Sequence, residues 1–87
     1  MTEGIERMEL TRETLKSRGF KETEEVEWGY IYRRNGLECE ILINGTFEIK
    51  PVDESNLTMK ELQSVNDKIR SVKNFVFSYW REKGHYV

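Results

Sequence analysis

The sequence predicts an α+β fold in the order α-β-β-β-α, and three observations carry that prediction. Two Asn-Gly steps, Asn35-Gly36 and Asn44-Gly45, separate three short runs of alternating apolar and polar residues. Thr58-Met59-Lys60-Glu61 has the form of a capping box and precedes a long stretch with apolar residues at spacings of three and four. Residues 11–19 carry matched start and stop signals for a short helix. Asn-Gly between alternating runs is the strongest short-range hairpin signal, because both residues tolerate positive φ. The middle of the chain is therefore predicted to be a three-stranded antiparallel meander.

The first helix has Thr11 as its N-cap, with Leu10 and Leu15 placed for a hydrophobic staple. Gly19 falls where a left-handed residue ends a helix, and Phe20 beyond it can touch Leu15, as a Schellman motif requires. Residues 1–9 are expected to be loose, with Ile5 and Met8 available to dock. Residues 21–25 read as a polar connection. The first strand covers residues 26–33, with Val26, Trp28, Tyr30 and Tyr32 on one face. A type I′ turn at Asn35-Gly36 pairs Tyr32 with Cys39, Tyr30 with Ile41, Trp28 with Ile43 and, on the other face, Arg33 with Glu38. A two-residue second turn would split the apolar set across both faces. A three-residue loop, Ile43-Asn44-Gly45 with a bulge at Gly45, instead sets Phe47 opposite Ile41 and Ile49 opposite Cys39. Pro51 marks the last strand as an edge.

A long helix should then run from Met59 to about Lys83, with Leu57 and Leu62 as its staple and Gly84 as its stop. Its apolar stripe is Leu62, Val65, Ile69, Val72, Val76 and Tyr79. It should pack on the face carrying Trp28, Tyr30, Tyr32, Cys39, Ile41, Phe47 and Ile49. Twenty-five residues span about 37 Å against about 23 Å for the strands, so the helix is expected to overhang the sheet.

Eighty-seven residues, 34% charged and 37% hydrophobic, suit one domain with one core. A formal charge of −2 gives no overall pull toward nucleic acid. No apolar run approaches the ~18 residues of a membrane span, and the acidic first residues lack the hydrophobic stretch of a secretory signal. A cytoplasmic location is expected, and no membrane partner.

Chemistry-bearing residues are sparse. The single Cys39 lies on an inward strand phase, where a thiol packs as a small hydrophobe, and the single His85 is expected in solvent. Zinc needs more Cys or His ligands than this chain holds, and a Cys–His nucleophilic pair needs an accessible thiol. No Gly-rich phosphate loop occurs. The expectation is a non-enzyme with no catalytic residue, no metal, no cofactor and no small-molecule substrate. The acidic cluster Glu22, Glu24, Glu25 and Glu27 reads as a solvated connection that guards an edge strand.

The last turns of the long helix are different. Phe75-Val76-Phe77-Ser78-Tyr79-Trp80 widens the apolar arc to roughly 200°, more than a meander and a two-turn helix can cover. Phe75, Phe77, Tyr79, Trp80 and Tyr86 are the expected anchors for a partner protein or a second copy of the chain, because aromatics dominate interfaces. The alternative is a nucleic-acid-binding accessory factor using Lys68, Arg70, Lys73, Arg81 and Lys83. Residues 53–87 carry six basic and five acidic groups, a net charge of only +1, which makes nucleic acid the weaker reading.

Leu10-Thr11-x-Glu13-x-Leu15-x-x-x-Gly19-Phe20, the meander and Glu61-Leu62-Gln63 early in the final helix together resemble short uncharacterised proteins of phages and gut bacteria. The resemblance implies a phage or mobile-element accessory protein, a class that often works by binding and inhibiting host proteins.

Overall fold

In the computed structural model, which describes residues 2–85, the chain forms α1 (Thr2–Ser17), β1 (Lys21–Val26), β2 (Gly29–Arg34), β3 (Leu37–Leu42), β4 (Phe47–Pro51), a 3-10 turn (Glu54–Asn56) and α2 (Met59–Glu82). The four strands make one antiparallel sheet in sequence order. The class is α+β, with four strands where three were expected.

Both predicted hairpins form. Asn35 (φ 44°) and Gly36 (φ 81°) supply the two positive-φ residues of the first turn. Across it Tyr32 meets Cys39, Tyr30 meets Ile41 and Arg33 meets Glu38. In the second hairpin Gly45 takes φ 93°, its N–H donates to the Leu42 carbonyl at 3.0 Å, and the Leu42 N–H donates to the Thr46 carbonyl at 2.8 Å. That is the bulged three-residue loop, and it brings Ile41 opposite Phe47 and Cys39 opposite Ile49.

The fourth strand is the segment expected to be a polar connection. Lys21–Val26 pairs with β2 through a bulge at Thr23 and forms the second edge of the sheet. A strand with a bare edge and little burial needs no apolar alternation, so its composition concealed it. Trp28 consequently lies in the turn joining β1 to β2 and not in a strand. It is 52% exposed and Ile43 is 56% exposed, so neither belongs to the core as expected.

Residues 2–9 are helical, a correction to the expectation that residues 1–9 are loose. The helix continues through Thr11, which is fully buried. The inward stripe is Met8, Thr11, Thr14 and Leu15, and two threonines at core positions disguised it. Each hydroxyl donates to a carbonyl one turn back, Thr11 to Arg7 at 2.8 Å and Thr14 to Leu10 at 2.9 Å, which makes burial tolerable. The stop is as predicted: Phe20 N–H donates to the Leu15 carbonyl at 2.9 Å and Gly19 N–H to the Lys16 carbonyl at 3.1 Å.

Thr58 caps α2, accepting from Glu61 N–H at 3.2 Å while the Glu61 carboxylate accepts from Thr58 N–H at 3.3 Å. The helix ends ahead of Gly84, at φ 90°. It runs antiparallel to β4: Phe77 and Trp80 pack on Phe47, while Val72 lies near Leu37, which faces Pro51. Both helices sit on the sheet face carrying Tyr32, Cys39, Ile41 and Ile49. Among the described residues neither helix lies over the other face.

Candidate functional site

The aromatic end of α2 is largely used within the molecule. Trp80 is 5% exposed, and its indole N–H donates to the Thr11 hydroxyl at 3.0 Å. Phe77 is half-buried, with its ring centre 5.4 Å from Phe47 and 5.5 Å from Trp80. The Tyr79 hydroxyl donates to Glu13 at 2.8 Å, and that bond raises its pKa above the ordinary tyrosine value. Phe75 is 42% exposed, but the Arg18 guanidinium lies 3.2 Å above its ring centre. Tyr86 lies outside the described residues. The expected excess of apolar surface does not arise at these turns, because α1 is twice the expected length and fills the flank beside them. All four buried residues of α2, Ile69, Val72, Val76 and Trp80, fall in its second part. Residues 59–68 contribute none, although Val65 is half-buried against the core, so the less covered end is the N-terminal one.

The five cations of the nucleic-acid alternative do not form one surface. At about 100° per residue, Arg70 and Arg81 lie on the side of α2 away from Lys68. Lys73 is half-buried, close enough to Cys39 for its charge to act on that thiol. Lys83 Nζ sits 5.6 Å over the Tyr79 ring. Lys68 instead joins Arg18 and Arg34 in a groove between the two helices and the β2–β3 turn. No sequence signal links those three residues; only the fold brings them together.

The remaining chemistry-bearing residues serve the fold. Cys39 is fully buried, and burial pushes its thiol up to about 12. His85 is buried rather than solvated, and its Nε2 lies 3.1 Å from Glu6. It docks against α1, whose first turns were not foreseen as helix. Glu22, from the acidic cluster, accepts from the Tyr32 hydroxyl at 2.9 Å and pairs with Arg12 at 3.0 Å. Among the described residues no group of three or more His, Cys, Asp or Glu is placed to hold a metal, and no helix is long and apolar enough to cross a membrane.

The uncovered sheet face is the surface that sequence reasoning missed. Glu24, Ile31, Glu40 and Glu48 follow one another across the four strands in a single register row. Beside it Val26, Gly29 and Leu42 form an apolar row. Trp28 is tied to this face because its indole N–H donates to Glu40 at 3.1 Å. Farther along, Arg33 and Lys50 both reach Glu38, at 2.7 and 3.7 Å, and Lys21 stands in the same register row, so that end carries more positive than negative charge. The face is thus acidic and aromatic at one end and basic at the other. The signal available in the sequence was the second hairpin register, which already placed Glu40 and Glu48 opposite the core.

No protein-family model matches the chain, and no curated protein and no solved structure matches it.

Proposed function

We propose that the chain is a small non-enzymatic protein-binding module that docks a partner on the open face of its sheet, with Trp28 as the anchor. One observation carries this reading: a tryptophan is held half in solvent by a hydrogen bond to Glu40, on a sheet face that neither helix covers. Exposed tryptophans among partly buried aliphatics are the residues that dominate interface energies. The neighbouring Glu24, Glu40 and Glu48 select a partner with a basic surface.

A second copy of the chain fits this face poorly. A two-fold contact centred on Trp28 and the acidic row would set that row against its own image, and like charges directly opposed are destabilising. The proposed partner is therefore a different protein, and the mechanism is occlusion of its surface. The resemblance to short phage proteins supports a role as a mobile-element accessory or inhibitor acting in the cytoplasm of a host.

Affinity capture from the native host's lysate tests the reading. The wild type should recover a basic partner and Trp28→Glu should not, while both proteins melt at similar temperatures. Equal recovery by the two proteins overturns the proposal. Light scattering should find a monomer; a dimer dispersed by Trp28→Glu would replace the foreign partner with self-association.

A further inference from the structure

We propose that the groove between the C-terminus of α1, the β2–β3 turn and the middle of α2 binds a small organic phosphate. The groove encloses about 360 Å³, at the small end of the ~300–1,000 Å³ typical of ligand sites. Arg18, Arg34 and Lys68 line it and no carboxylate does. Three positive charges thus converge on one concavity of a chain whose formal charge is −2. Among the described residues none of the three makes an ion pair. Like charges held together repel, and a bound anion relieves that repulsion.

The two guanidinium groups are held in place without neutralisation. Arg34 Nη1 donates to the Arg18 carbonyl. That bond offsets part of the negative end of the α1 dipole, which opposes an anion here. Arg18 is stacked on Phe75. Two such forks suit a tetrahedral oxyanion, which accepts paired N–H bonds, and Lys68 adds a point charge. Ser71 contributes a hydroxyl to the same lining. Phe20, Leu37 and Val72 form an apolar wall, which gives an organic moiety a surface that a bare ion does not use.

The surroundings favour a small ligand over a nucleic-acid strand. Past Phe75 the furrow between the helices continues, but Glu13 and Glu82 line it there. A polyanion extended along the furrow would run from three cations into two carboxylates, whereas a single phosphate need not leave the basic end.

The test titrates the full chain with adenosine 5′-monophosphate, adenosine 5′-diphosphate and inorganic pyrophosphate at low salt, following amide NMR shifts. The expected result is saturable shifts at Arg18, Arg34, Lys68 and Ser71, tighter binding of the nucleotides than of pyrophosphate, and weakening as salt is added. Lys68→Glu should weaken nucleotide binding at least about tenfold, equivalent to ~1.4 kcal/mol. Lys60→Glu makes the same charge change on the same helix outside the groove and should leave binding unaltered. Any of three results overturns the proposal: no saturable shift with any probe, equal affinity in Lys68→Glu and wild type, or pyrophosphate binding as tightly as the nucleotides. A single-stranded oligonucleotide that binds more tightly than the nucleotides, and loses affinity equally in both variants, would replace the pocket with general charge attraction.

Discussion

The two tryptophans mark the two faces of the sheet. Each indole N–H has one partner at nearly the same distance, Thr11 at 3.0 Å for Trp80 and Glu40 at 3.1 Å for Trp28. Trp80 is 5% exposed and Trp28 is 52% exposed. Identical side chains with hydrogen bonds of similar length thus occupy opposite roles, and the difference comes from what lies above each. Trp80 is covered by α1, Phe77 and Phe47; among the described residues neither helix lies over Trp28. Hydrogen bonding alone does not distinguish a structural aromatic from a surface one, whereas coverage does.

The largest contrast should appear on truncation. Trp80→Ala leaves a cavity where Phe47, Phe77 and Thr11 meet, and chemical denaturation should show a loss of about 3–5 kcal/mol. For a chain this small that is a large part of the total stability. Thr11→Val keeps the shape but removes the acceptor, so the buried indole N–H is left unpaired. The expected loss is about 1–3 kcal/mol, and equal stability of Thr11→Val and wild type would mean that the clasp contributes only packing.

The covered face also contains a thiol whose protonation is linked to folding. Cys39 is ordinarily an acid near 9.0, and burial raises it to about 12 in the folded chain. The folded state therefore holds its proton where the unfolded state releases it. Its contribution to stability is full below pH 9 and is lost as pH rises toward 12, at up to about 1.4 kcal/mol per pH unit. Stability curves for wild type and Cys39→Ala should converge over that window. A constant offset between them would show that the thiol is not desolvated. The smallest effect belongs to the open face: Trp28→Ala should cost about 1 kcal/mol, while removing partner capture.

Much of the architecture was legible because local chemistry specified it. The Asn35-Gly36 and Ile43-Asn44-Gly45 turns, the Leu15–Phe20 Schellman contact and the Thr58–Glu61 box each involve residues close in sequence, and each formed as expected. What was hidden depended on tertiary context. β1 presents no alternation because an edge strand buries little. α1 conceals half its length because its inward residues include Thr11 and Thr14, which bond their own backbone. These two errors had one consequence for the site. A two-turn α1 leaves the aromatics of α2 uncovered and predicts an interface there; the full-length α1 covers that flank. The groove cations Arg18, Arg34 and Lys68 come from three separate segments, so no spacing in the chain could have grouped them.

The contact between Thr11 and Trp80 joins positions 69 residues apart. The sheet, by contrast, is a meander in which each strand pairs with the next. Short loops close at little entropic cost and long ones at more. The strands are thus expected to zip up in sequence, with the helix pair latching across them in the closing step. The bare side of the sheet makes no direct use of that latch, so the relative placement of its side chains is set by the hairpins.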